Sequence, residues 1–239
     1  MGDNLRKKNT VSDDLQHNGS GEVNHPNPLE SKLSKVVDVP ERNDFFLGPG
    51  LGSMPWNSVV RLISFHGYLT TGAFVGLQML ALGRRLLGVG ENEKIHVLCE
   101  TQNCLPDPFQ ALAGATLGNK RLMLRDTGKV SVTITRHTPP GESAPGVRIV
   151  LDAEKTEKFP KLHAWYMNIE KVPHRKVVQI LREAGDTVYS YTYVKVPVTE
   201  RQKKRVAICS ICGEPFTQTC KGESYCADCV VEKERVKLP

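Results

Sequence analysis

TTGAFVGLQMLALGRRLL, residues 70–87, decides how the rest of the chain is arranged. Apolar side chains fall on almost every side of its helical wheel, the mark of a helix buried all round rather than one lying on a surface. Thr70 or Thr71 is a natural N-cap, so the pattern predicts a helix from about Gly72 to Leu87. Gly76 and Gly83 leave room for neighbours to approach closely. Gln78 interrupts the apolar run and Arg84 and Arg85 follow it, so the run falls far short of the roughly 20 residues of a membrane helix. The stretch therefore reads as the central helix of a globular core.

On its N-terminal side, Pro55 can open a helix to about Phe65 with Val59, Val60, Leu62 and Ile63 on the buried side. The loop SFHGYLTTG, residues 64–72, then carries His66 to the entrance of the central helix. FFLGPGLGSMPW, residues 45–56, is glycine-rich, but no strand precedes it and no GK[ST] follows, so it reads as a plain loop rather than a phosphate loop. Residues 1–44 are polar and aperiodic, and are expected to be a disordered tail.

On the C-terminal side, Ile95 to Glu100 alternates as a strand. Asp107 with Pro108 reads as an N-cap and first helical position for PFQALAGA. RLMLRD and KVSVTITR flank Thr127-Gly128 as strand, tight turn and strand. Val147 to Leu151 is a strand, HRKVVQILREAG an amphipathic helix that Gly185 can stop, and VYSYTYVKV a long alternating strand. Its tyrosines read as a packing or dimer face. Helices and strands mix without a βαβ repeat, which predicts an α+β core over 45–198: a mixed sheet packed with helices.

A basic linker, TERQKKR at 199–205, leads to a small segment over 206–239. It holds Cys209, Cys212, Cys226 and Cys229 as two CxxC pairs separated by thirteen residues. Four thiolates in two tight turns suit tetrahedral zinc in a closed, structural shell. A knuckle at the first pair, a hairpin at KGESY and a helix from ADC make up the order of a treble-clef zinc finger. Cys220 is spare.

The chain has 239 residues and a net charge of +6, of which 45–200 carries +5, 201–239 carries +3 and the N-terminal tail −2. Four thiolates with Zn²⁺ would bring the last segment to about +1, a weak attraction for phosphates, so nucleic acid is disfavoured and a protein partner is the better fit for the finger. No apolar signal core opens the chain, and paired cysteines here read as metal ligands, so a cytoplasmic protein without membrane spans is expected.

FHGYLTTG, NCLPDPFQALAGATLGN and DTGK before a strand, in that order and followed by the four cysteines, resemble the FmdE family of formylmethanofuran dehydrogenase proteins over about residues 55–198 plus the finger. Members are similar α+β cores, commonly dimeric, some with a C-terminal zinc finger. The resemblance places His66 on the family's first histidine, Cys104 on the cysteine before a helix, Asp107 and Gln110 on its DAIQ-like positions and Lys129 on its GK lysine. These would line one cleft, with His66 and Cys104 as ligands of a second, transition metal or as base and nucleophile. Tyr68 stands where the family has a second histidine, and Thr70 and Thr71 where it has Cys-Pro. Independently of the family, a helix N-terminus keeps a nearby imidazole neutral and biases a thiol towards thiolate, which suits His66 and Cys104 to either role. Taken without the family, Asp107 is explained by helix capping, Lys129 by a hairpin turn or by holding an anion, and His96 by surface or core packing. Two functions are expected: a metal-binding FmdE-like protein linked to one-carbon or redox metabolism, with a cleft for a metal or small anionic ligand, or a non-enzymatic accessory protein with a degenerate cleft that docks through its finger.

Overall fold

The structure is a computed structural model that describes residues 44–200 and 203–235, with side chains to residue 231. The expected tail up to residue 43, two linker residues and the last four residues lie outside the described residues.

The central helix, α2, runs Thr71–Leu87 with Thr70 as its N-cap. Phe74, Val75, Leu77, Met79, Leu80 and Leu82 are all buried, as an all-round apolar wheel requires. One side lies on the sheet. A Cβ at Gly83 would stand 2.3 Å from Ile134 Cδ1, and one at Gly76 would stand 2.4 Å from the Leu105 carbonyl oxygen. Helix and neighbours meet at these two points because neither residue has a side chain.

The sheet has the order β4-β3-β5-β6-β7, with β3 Ile95–Cys99, β4 Leu122–Leu124, β5 Ser131–Arg136, β6 Ser143–Leu151 and β7 Tyr189–Pro197. Ile95, Val97 and Cys99 of β3, Val132 and Ile134 of β5, and Val147, Ile149 and Leu151 of β6 are buried. His96, Leu98, Thr133, Arg148 and Val150, at alternate positions, are more exposed, the period-2 pattern of a sheet with one better-covered face. The predicted hairpin around Thr127-Gly128 does not form. Instead β4 pairs parallel to β3 and β5 antiparallel to it, one on either side. The reason lies in the connection: the backbone N–H groups of Thr127 and Lys129 both donate to the Glu100 carbonyl, at 3.0 and 3.2 Å, so the turn wraps the end of β3.

The glycine-rich segment predicted as a plain loop is a β-hairpin, β1 Asp44–Gly48 and β2 Gly52–Pro55. Its strands are short, but Phe45 and Leu47 alternate into the core. Helix α1, Trp56–His66, buries Val59, Leu62 and Ile63, with Val60 half-buried at the margin. The remaining core helices are α3 Asp107–Ala111, α4 Ala153–Thr156, α5 Pro160–Tyr166 and α6 His174–Ala184, the last followed by a 3-10 turn at Gly185–Val188. The α+β class stands. Among the described residues no helix is long and apolar enough to cross a membrane.

Gln78, the one polar interruption of the central run, is fully buried at a junction. Its Nε2 donates to the carbonyls of Leu47 (2.6 Å) and Leu181 (2.9 Å), and its Oε1 accepts from the Tyr189 hydroxyl at 2.7 Å. One amide thus ties α2 to β1, α6 and β7. Gln78→Leu would take a hydrogen bond from each of those groups, leaving the Leu181 carbonyl only its Gly185 N–H, and we expect it to cost about 3 kcal/mol. The fall in urea midpoint measures it, with Tyr189→Phe as a milder control. Wild-type stability in Gln78→Leu would remove the tie as a source of stability.

The C-terminal segment pairs β8 Arg205–Ile208 with β9 Pro215–Gln218 and ends in α7 Ala227–Arg235. Its hairpin encloses the first CxxC knuckle. KGESY, predicted as a hairpin, forms a turn that leads to the second pair.

Candidate functional site: a histidine cluster and a four-cysteine centre

His66 is the last residue of α1, where Gly67 ends the helix at φ 101°. The chain turns through exposed Tyr68, buries Leu69, and enters α2 with Thr70 Oγ1 accepting the Ala73 N–H at 3.1 Å. Facing this turn is the start of α3. The Asp107 N–H donates to the Cys104 carbonyl at 3.3 Å, which folds 104–107 into one turn. That turn presents two groups to the α1–α2 junction: the Asp107 carboxylate, which bonds His66 Nδ1, and the Cys104 side chain, whose Cβ lies 3.2 Å from the place of a Cβ at Gly72.

Asp107 therefore does not cap its helix, as the Asp-Pro pattern predicts. Helix α3 begins at Asp107 itself, Pro106 holds the cap position, and no side chain caps it. The carboxylate is committed to His66.

A residue that no sequence motif singles out joins this group. His174, the first residue of α6, meets Thr71 twice: its Nδ1 lies 2.8 Å from Thr71 Oγ1 and receives the Thr71 N–H at 3.2 Å. The Tyr68 ring stands between the imidazoles, with centroids 5.6 Å from His66 and 6.1 Å from His174. A signal for His174 existed. The first turn of α6 has no acidic residue and opens His-Arg-Lys, against the preference of a helix N-terminus for negative charge.

The bonds assign opposite tautomers to the neutral rings. A carboxylate only accepts, so His66 carries its hydrogen on Nδ1 and keeps its lone pair at Nε2. At His174 the backbone N–H of Thr71 donates to Nδ1, so the hydrogen is on Nε2. As neutral rings, His66 thus leaves Nε2 as an acceptor and His174 leaves Nε2–H as a donor.

Other predicted residues fall in different places. Thr70 and Thr71 are buried, the first as a cap and the second on His174. Gln110 is half-buried on α3, one turn beyond Asp107. Lys129 is exposed on the turn that wraps Glu100, and its charge helps Arg148 hold the Glu100 carboxyl down to about 2. Cys99 is buried at the end of β3. Desolvation first, and the nearby Asp107 charge second, push its thiol up to about 12, so it stays protonated and unreactive.

Among the described residues, the one group of three or more metal-capable side chains is Cys209, Cys212, Cys226 and Cys229, whose sulfurs lie within 4.8 Å of one another. The cluster fits a tetrahedral metal. A thiolate tetrahedron around zinc has edges of about 3.8 Å, from bonds of about 2.3 Å, and the Cys212 and Cys226 sulfurs stand 3.9 Å apart. Backbone N–H groups of Cys212 and then Cys226 hold the Cys209 thiol down to about 6, while hydrogen bonding to Cys226, together with desolvation, pushes Cys229 upward. Four thiolates this close need a cation to coexist.

The chain matches a family model described as FmdE, Molybdenum formylmethanofuran dehydrogenase operon, over residues 65–196, more than half of its length. The match takes in His66, Cys104, Asp107, Lys129 and His174 and stops short of the four cysteines. The chain is 27% identical over 204 residues to a probable S-adenosyl-L-methionine-binding protein of Archaeoglobus fulgidus, covering 73% of this chain and 54% of that one. It therefore spans about half the length of this curated relative. It is also similar to the crystal structure of an FmdE-like protein, of the tungsten formylmethanofuran dehydrogenase type, from Syntrophus aciditrophicus, with a TM-score of 0.62 and 25% identity, over 79% of this chain and 96% of the other.

Proposed function

The chain belongs to the FmdE family, and on that premise we propose that its core cleft binds a transition metal with open positions for a small anionic ligand, while zinc in the four-cysteine segment is structural. The observation that carries this reading is the bond between His66 Nδ1 and Asp107. A histidine that ligates a metal commonly gives its other ring N–H to a carboxylate, which fixes the ring and raises its basicity. His66 Nε2 is then the first ligand and Cys104 the second, with His174 Nε2–H placed to donate to a bound anion. Two protein ligands make an open shell, the condition for reaction rather than structure. Work for a formylmethanofuran dehydrogenase or a related one-carbon or redox enzyme is the biological setting this reading carries.

Metal analysis tests it. After loading with nickel, iron or zinc, wild-type protein should hold one metal beyond the four-cysteine site. His66→Ala should lose it, and Asp107→Asn should bind it about 10- to 100-fold more weakly. S-adenosylmethionine, the ligand named for the Archaeoglobus relative, is the first organic ligand to add. Unchanged metal content in a His66→Ala/Cys104→Ala double variant would sink the core metal site.

One observation favours a second reading, an accessory protein with a degenerate cleft. Among the described residues the cleft brings no three metal-capable side chains together, and Tyr68, Thr70 and Thr71 contribute no strong ligand. On this reading the C-terminal segment docks a protein partner, and deletion of 206–239 should abolish that association. A homodimer suits either reading, since edge strand β7 exposes Tyr191 (48%) and Tyr193 (62%). Sedimentation of the metal-analysis samples reports it.

A further inference from the structure

Away from the histidine cleft, a cavity of about 540 Å³ opens between α1, the C-terminal half of α2, the β1–β2 hairpin and the loop at 88–92. It is of the size that small organic ligands occupy. From Thr71 to Arg84 along α2 is about 20 Å, so the cavity and the histidine cleft lie towards opposite ends of that helix.

Three guanidinium groups line it: Arg61, Arg84 and Arg85. Arg85 is neutralised by Asp186, at 2.6 Å. Arg61 and Arg84 are held differently. Their Nη2 groups donate to backbone carbonyls, Arg61 to Ala111 at 2.7 Å and Arg84 to Glu91 at 2.8 Å. A carbonyl positions a guanidinium without cancelling its charge. Among the described residues neither arginine has a carboxylate within ion-pair distance, and the Arg84 Nε is buried without an acceptor. Glu91, exposed on the loop, is the acidic residue of the lining, and its charge reaches Arg84 only as a longer-range field. Burial pulls the Arg84 guanidinium down from its usual value, the sign of a cation short of solvent and of a partner. The lining also includes the apolar side chains of Leu47, Leu80 and Leu112.

We propose that this cavity binds a small organic acid, its carboxylate or phosphate head on Arg61 and Arg84 and its apolar body along Leu47, Leu80 and Leu112. Planar guanidiniums with unused N–H groups suit either head in bidentate fashion. The leucines exclude a bare anion as the best ligand, because it would leave the apolar part of the lining uncovered.

Calorimetry on the full chain with octanoate, octyl phosphate, octanol and inorganic phosphate tests the assignment. One octanoate or octyl phosphate should bind per chain, at least tenfold more tightly than octanol or inorganic phosphate. The ratio between the two acids identifies which head the site prefers. Arg61→Gln/Arg84→Gln should weaken the preferred acid at least tenfold, with octanol unchanged. Arg84 also holds the 88–92 loop, so Arg61→Gln alone, at an exposed residue, is the second variant, with an expected loss of about fivefold. His66→Ala should bind the acid like wild type, which separates this site from the metal cleft. Octanol binding as tightly as octanoate, or Arg61→Gln and the double variant both binding the acid like wild type, would overturn the proposal.

Discussion

Serine at both Cys209 and Cys226 is expected to abolish metal retention by the C-terminal segment and to unfold residues 205–235 while the core melts as before. The segment has almost no interior. Among its described side chains only Cys209 and Cys229 are buried, while Val206, Ile208 and Ile211 are 68%, 63% and 52% exposed. A pair of four-residue strands and one helix cannot offset their ordering entropy without a core, so a bound metal is expected to supply the difference. Structural zinc contributes roughly 10–16 kcal/mol in sites of this kind. Metal content by mass spectrometry and hydrogen exchange of peptides from 205–235 measure the two halves of the expectation, and a strong chelator should reproduce the variant. Exchange protection that survives metal removal would show that the segment folds without it.

The second large effect is expected in the core. Glu100, 2% exposed just beyond β3, is gripped by Arg148 through Nε at 2.7 Å and Nη2 at 2.9 Å, and the same Nη2 donates to Ser131 Oγ at 3.0 Å. Arg148→Met leaves that carboxylate buried and unpaired, which costs about 3–5 kcal/mol. Replacing both partners, as in Glu100→Leu/Arg148→Met, should recover most of the loss, because no isolated charge remains. The pH dependence has a definite sign. Hydrogen bonding to Arg148 holds the Glu100 carboxyl at about 2 in the folded protein, against about 4.3 when unfolded. A depressed carboxyl contributes stability above its unfolded value and loses it as pH falls towards its folded value. The gap in urea midpoint between wild type and Arg148→Met should therefore be full at pH 7 and narrow below about pH 4. An equal gap at pH 7 and pH 3 would show that lost packing, not the ion pair, sets the cost.

Much of the architecture is legible in the sequence because it is written in local patterns. An all-round apolar stretch with Thr70 before it specifies a buried helix, and period-2 alternation specifies β3 and β7. The departures have separate causes. Leu122–Leu124 and Ser131–Arg136 are both strands, as predicted, yet their partner is β3 in between and not each other. Alternation tells which face of a strand is buried and says nothing of its neighbour. The β1–β2 hairpin escapes the pattern because its strands are too short for a period to stand out among Gly48, Gly50 and Gly52. Around His66, Asp-Pro is a sufficient local explanation for Asp107, and it hides the bond to His66. His174 is hidden in turn by the amphipathic face it begins.

The sequence by itself determined the central helix, the α+β class and the four-cysteine ligand set, since each depends on residues close together in the chain. Only the tertiary structure decided which side chains meet around His66. Asp107 reaches His66 across 41 residues and His174 reaches Thr71 across 103. Such pairs form because α3 and α6 pack against the two sides of the α1–α2 junction, and packing is set by the shapes of whole buried faces rather than by any short motif. The imidazoles receive opposite tautomers from those partners, so which ring leaves an acceptor and which a donor follows from the fold and not from the loop FHGYLTTG alone.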